Sequence, residues 1–198
     1  MMEERSRLAI CSSCYLPPIS YFNNLLNSEK VCLDPNERWT KSSLRNRTVI
    51  LSTNGKLNLT VPVQKSKQQQ TLVKEIKISY NDPWVRVHKG AIESAYNKSA
   101  FFEYLKDELF TIYDKKHVFL IDLNSELTDW LFRKLKLKLK LELLPDEYLE
   151  AVDFRIGSDQ LSANSTNTIL PYPQVFSEKF PFVDGLSILD LLCNKGRM

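Results

Sequence analysis

Leu8-Ala9-Ile10-Cys11-Ser12-Ser13-Cys14-Tyr15-Leu16-Pro17-Pro18-Ile19-Ser20-Tyr21-Phe22-Asn23-Asn24-Leu25-Leu26 is the stretch on which the fold turns. Leu8-Ala9-Ile10 reads as a short buried strand, the residues from Cys11 to Ile19 as a turn, and Ser20 to Leu26 as a helix. Open α/β sheets build ligand sites between a first strand and its helix, because the first N–H groups of a helix have no partners within it. Residues 11–22 are therefore the first place to look for chemistry.

Working outward, Val31-Cys32-Leu33 reads as a second short strand that ends at Asp34-Pro35. Thr48 to Ser52 and Leu57 to Val63 flank Thr53-Asn54-Gly55-Lys56, where Asn-Gly offers the positive φ angles of a tight hairpin. Gln64 to Gln70 reads as a surface loop, and Val73 to Tyr80 alternates as a further strand. Asp82-Pro83 predicts a helix to about Asn97, with Asp82 as its cap and Pro83 in its first turn. Ser99 offers a second cap, before Phe102, Leu105, Leu109 and Ile112 at helical spacing. A third helix is expected to begin at Asn124 or Ser125, and Leu135 to Leu143 alternates with lysines as a strand buried on one face. Residues 157–173 read as a long loop, and Leu186 to Leu192 as a short helix followed by Gly196.

The expected fold class is α/β: a single domain over residues 1–198, with a mixed β-sheet of about five to seven strands that carries an antiparallel hairpin and is covered by about three to five helices. A chain of 198 residues, 43% hydrophobic, is long enough for one substantial core. Its charge of +3, from 27 basic and 24 acidic residues, is too balanced to mark a nucleic-acid binder. The opening MMEERSRLAI has no apolar signal-peptide region, and no segment approaches the roughly 20 apolar residues of a membrane span. The expectation is a cytoplasmic protein with reduced Cys11, Cys14, Cys32 and Cys193, its oligomeric state open.

Several residues carry candidate chemistry. Trp84, His88, Ile92 and Tyr96 recur every four residues and line one helix ridge. His88 between aromatic rings suits a general base near neutral pH, or a core histidine that satisfies a backbone carbonyl. Arg45 and Arg47 flank Asn46; in an extended segment they share a face and can clamp a phosphate or carboxylate, or pair with surface carboxylates, while Asn46 points elsewhere and fixes the loop. Ser187 and Asp190, three apart, share a face of the last helix, whose apolar stripe needs a partner in the core. Cys11 and Cys14 have the spacing of half a zinc site, but the other half is missing, so no metal and no cofactor is expected. The chain has no Gly-rich phosphate loop, no G-x-S-x-G elbow and no H-E-x-x-H.

Five ordered blocks, YLPPISYF (15–22), SLRNR (43–47), LTVPV (59–63), WVRVHKGAIESAYNKSAFFEY (84–104) and LSILDLLCNKG (186–196), closely resemble the WbqC-like family of uncharacterised bacterial proteins, often associated with surface-polysaccharide gene clusters. The resemblance covers about residues 8 to 196. Trp84 and His88 match a W-x-x-x-H spacing of the family, and Arg155 matches a further family position that could converge on the same anion. The turn is also similar to that of nucleotidylyltransferase-like folds, but Pro18-Ile19-Ser20-Tyr21 stands where their H-x-G-H chemistry would be. The resemblance implies a transferase that modifies a sugar or sugar nucleotide, or a non-catalytic binding or scaffold protein of the same pathway. Its partner would be a phosphorylated or sugar small molecule. In that expectation His88 takes the proton, Arg45 and Arg47 hold the phosphate, and Tyr15, Tyr21 and Trp84 form the walls.

Overall fold

A computed structural model describes residues 8–26, 28–41, 43–64, 71–145, 151–155 and 170–197. The first strand, β1 (Leu8–Cys11), is followed by α1 (Ile19–Asn23) and β2 (Lys30–Leu33). A hairpin of β3 (Arg47–Ser52) and β4 (Gly55–Thr60) comes next, then α2 (Trp84–Tyr96), α3 (Glu103–Asp114) and α4 (Leu120–Lys134). The chain returns through β5 (Lys140–Leu143) and β6 (Val152–Phe154) to α5 (Ile188–Lys195). The expected α/β class with an antiparallel hairpin is what forms, with five helices among the described residues where about three to five were expected; the single mixed sheet of about five to seven strands does not form. The strands make two sheets: a parallel one in the order β5-β2-β1-β6, and the hairpin β3-β4 by itself.

The parallel sheet is built by alternation. Ala9, Cys11, Val31 and Leu33 face the main core, while Ile10 and Cys32 face a smaller cluster with Leu144. Both faces are thus apolar, as parallel strands require. The main core runs continuously from Ala9 to Cys193 and takes in α2, α3, α4 and α5. Because β2 and β6 lie on opposite sides of β1, the strand order reverses there, and the crevice outside the carboxyl ends is the place where such sheets bind ligands.

Several local expectations give way to stronger contacts. Between Val73 and Tyr80, the Glu75 carboxylate accepts the Leu72 N–H at 2.9 Å and closes a 3-10 turn over Val73–Glu75. Beyond it only single bridges form, Lys77 with Phe119 and Ile78 with Val63. Asp82 does not cap α2 through its side chain; its carbonyl accepts the Trp84 N–H at 2.8 Å, and Pro83 is the N-cap. Ser99 turns its hydroxyl back to the Tyr96 carbonyl at 2.6 Å, so α3 starts without a side-chain cap. The third long helix starts at Leu120, not near Asn124, because Leu120, Leu123, Leu127 and Leu131 form one buried stripe that draws the earlier turn in. In the alternating run, Leu135 caps α4 and Lys136 takes φ 57, so the strand begins only at Lys140. The hairpin turn uses one positive φ, at Gly55, with no contribution from Asn54. The loops expected over 64–70 and 157–173 lie largely outside the described residues.

Candidate functional site at the carboxyl ends of the parallel strands

Ser12 follows directly on β1 and is fully buried. Its hydroxyl donates to Glu37 Oε1 at 2.7 Å, and Arg45 Nη2 donates to the same oxygen at 3.0 Å. This Arg45–Glu37 ion pair is almost wholly out of solvent, with side chains 6% and 9% exposed. Burial pushes the Glu37 carboxyl up, against the opposing pull of the Arg45 guanidinium and the Ser12 hydroxyl. From α4, Asn124 extends its amide to Arg45 O at 2.8 Å and Ser13 Oγ at 3.1 Å. Three buried atoms of this cluster, Glu37 Oε2, Arg45 Nε and Asn124 Oδ1, have no hydrogen-bond partner among the described residues. Buried polar atoms are nearly always paired; Asn46 Oδ1, Trp84 Nε1 and Trp130 Nε1 are buried in the same state.

The neighbouring strand ends are tied across β1. Arg155, just after β6, donates from Nη1 to Asp34 Oδ2 at 2.6 Å, just after β2, and from Nη2 to Asp153 Oδ2 at 2.6 Å. The Asp153 carboxyl is held below its usual range by those Arg155 hydrogen bonds. Tyr21, on α1, reaches back to the Ser12 carbonyl at 2.9 Å and Cys11 Sγ at 3.0 Å; it braces the turn from behind. Leu16 closes the turn in the left-handed region, φ 43, which is costly for a branched residue and persists only where the surroundings over-determine it. The surroundings do so here. The Leu16 carbonyl accepts the Thr48 hydroxyl at 2.7 Å and the Ser187 hydroxyl at 2.9 Å, and Tyr15 N donates to Leu44 O at 2.9 Å.

The residues singled out from the sequence fall into three groups. Arg45, Asn46 and Arg47 do not form an extended segment: residues 44–46 make a turn, so Arg45 points inward to Glu37 while Arg47 opens β3 on the surface. The same-face clamp is thereby lost. Asn46 does fix the loop, with Nδ2 on the Val61 carbonyl at 2.9 Å. Tyr15, His88 and Trp84 form a second, aromatic group: Tyr15 Oη lies 2.8 Å from His88 Nδ1, and also contacts the Tyr113 hydroxyl. Trp84 packs edge-on against His88, ring centroids 5.0 Å apart. Burial drives the His88 imidazole down to about 4, although a backbone hydrogen bond with Thr60 works the other way. The ring is therefore neutral near neutral pH.

Ser187 and Asp190 form the third group and part company. Ser187 caps α5, accepting from Leu189 N, and pins Leu16. Asp190 instead faces Tyr172 Oη at 2.7 Å and Gln174 Nε2 at 3.0 Å. Burial raises its carboxyl, while those donors lower it. Ser12, Glu37, Asp34 and Asn124 carry more of the strand-end cluster than the sequence indicated. Asn124 did leave a signal: it is polar, yet it lies four residues from Leu120 on an otherwise apolar stripe. The four cysteines are free and buried, and burial raises Cys11 to about 12, which leaves no thiolate nucleophile there. Among the described residues no cluster of three or more His, Cys, Asp or Glu is arranged to hold a metal, and no helix is long and apolar enough to cross a membrane.

Comparison with known proteins gives a family. The model described as the WbqC-like protein family matches residues 12–146. The uncharacterized protein Rv1507c of Mycobacterium tuberculosis is 31% identical over 122 residues, which are 61% of this chain and 52% of that protein. The chain thus spans about half the length of the curated relative it matches. No solved structure matches.

Proposed function

Because the chain belongs to the WbqC-like protein family, we propose that it is a group transferase that modifies a sugar or sugar nucleotide in bacterial surface-polysaccharide synthesis, with its small-molecule substrate at the carboxyl ends of the parallel strands. The observation that carries this reading is the buried Ser12–Glu37–Arg45 cluster with its unpartnered Glu37 Oε2 and Arg45 Nε. A hydroxyl held by a carboxylate, itself oriented by a guanidinium, has the parts that group transfer needs. Arg47, exposed and without an ion pair among the described residues, is the guanidinium left for a phosphate. The same reading has the protein acting in the cytoplasm as one domain over residues 1–198, without nucleic acid; the continuous core from Ala9 to Cys193 supports the single domain.

A second reading, a non-catalytic binding protein of the same pathway, is favoured by His88. Its ring is buried between Tyr15 and the Thr60 backbone, which suits a structural role better than proton transfer to a ligand. Titrating UDP-linked hexoses with a free, an acetylated and no 2-amino group into isotope-labelled protein tests both. Shifts at amides 12–16, 36–37 and 155 support the site, and their absence overturns it. A mass change of the sugar nucleotide in the presence of candidate acceptors then separates transferase from binder.

A further inference from the structure

The strand-end cluster has a charge balance that says what it can take. Two guanidiniums, Arg45 and Arg155, face three carboxylates, Glu37, Asp34 and Asp153. Both arginines are already engaged, Arg45 by Glu37 and Arg155 by Asp34 and Asp153. The other ionisable neighbours, Cys11, Cys14 and Tyr21, are kept uncharged by burial. Of the three unpartnered buried atoms, two are acceptors, Glu37 Oε2 and Asn124 Oδ1, and one is a donor, Arg45 Nε. A phosphate brings acceptors only and a negative charge, and would meet the wrong complement. A group that brings donors and a positive charge meets the right one.

We infer that the group received at the carboxyl ends of β1, β2 and β6 is a protonated amine, as on an amino sugar, with Glu37 Oε2 as its counter-charge and Asn124 Oδ1 as the second open acceptor. This rests on the sugar-binding reading above and narrows it. Glu37 is suited to the part because Ser12 and Arg45 both hold its Oε1, leaving Oε2 fixed in direction and free to accept. Asn124 belongs to the same cluster through the Arg45 carbonyl and Ser13.

The test is a ligand ladder on the intact chain, followed by amide shifts at residues 12–13, 37, 45 and 124: glucosamine, glucose, N-acetylglucosamine and glucose 6-phosphate. Replacing a neutral donor by a charged one strengthens a hydrogen bond enough for about tenfold in affinity. Glucosamine should therefore bind about tenfold tighter than glucose or N-acetylglucosamine, and the phosphate of glucose 6-phosphate, which Arg47 would hold, should add no shift at these amides. The preference should fade as pH rises past about 8, where amines of this kind lose their proton. Glu37→Gln should abolish the preference and Glu37→Asp should keep part of it. Should Glu37→Gln not fold, the ladder and its pH profile on the unaltered protein decide the matter. Equal or tighter binding of glucose or N-acetylglucosamine at these amides, or phosphate-dependent shifts at 37 and 124, overturns the amine inference and leaves the sugar site standing; no shift there with any of the four overturns both.

Discussion

Tyr15 sets its hydroxyl 2.8 Å from His88 Nδ1, so the turn after the first strand is fastened to the middle of α2 by a single buried hydrogen bond. The same hydroxyl touches that of Tyr113 on α3. With its imidazole neutral, His88 has one nitrogen to accept and one to donate, and the Tyr15 contact and the Thr60 backbone use both. The turn and two helices are therefore joined by neutral groups with nothing left over.

Removing the hydroxyls should have unequal effects. Tyr15→Phe leaves His88 Nδ1 buried without a partner and should cost about 1–3 kcal/mol, whereas Tyr113→Phe leaves the Tyr15–His88 bond in place and should cost about 1 kcal/mol. Urea unfolding of the two variants measures the difference; equal losses would show that the histidine contact carries no separate weight.

His88 also makes stability depend on pH. Its folded value, about 4, lies below the ordinary value of 6.5, so the unfolded chain binds the proton more readily. The contribution, on the order of 3 kcal/mol, is complete above pH 6.5 or so and is lost as pH falls toward 4. Unfolding free energies measured across this window should fall less steeply for His88→Gln than for the unaltered chain, and the His88 ring resonances should stay those of neutral imidazole at pH 5.

Breaking the buried ion pair is the severe case. Arg45→Met or Glu37→Leu alone strands a buried charge and should cost about 3–5 kcal/mol, while the double replacement should recover most of that loss. Chemical denaturation of the three variants forms a cycle, and additive losses would mean that the pair does not act as a unit.

Lys116 and Lys136 sit at φ 51 and 57 on exposed turns after α3 and α4. Glycine adopts this conformation without strain, so Lys136→Gly should stabilise by a few tenths to about 1 kcal/mol despite the added freedom of the unfolded chain. A lower melting temperature for that variant would count against the turn geometry.

Much of this molecule could be read from its residues, for physical reasons that also explain the misses. Leu8 to Ile10, Val31 to Leu33 and the hairpin around Gly55 are local patterns of alternation and turn chemistry that form close to where the residues place them: β1 and β2 are each one residue longer, and β4 runs Gly55–Thr60 where Leu57 to Val63 was expected. Val73 to Tyr80 has the same alternation, but one Glu75 side chain bonding to the Leu72 N–H is enough to wind its first half. The site is harder to read because its partners are distant in the chain. Ser12 and Glu37 are 25 residues apart, and Asn124 and Ser13 are 111 apart. Arg45 and Arg47 look equivalent in the sequence; only the turn at 44–46 makes one an internal counter-charge and the other a surface group.

The grip of Thr48 and Ser187 on the Leu16 carbonyl ties the turn to a residue 171 positions further along the chain. As the chain leaves the ribosome, β1, β2 and the hairpin can assemble while Ser187 is still untranslated, with Leu16 held by Thr48 alone. The left-handed turn that positions Ser12 and Ser13 then gains its second clasp only when α5 docks. Loss of that clasp, as in Ser187→Ala, would leave the Leu16 carbonyl with the Thr48 hydroxyl as its side-chain donor and the left-handed turn less firmly held.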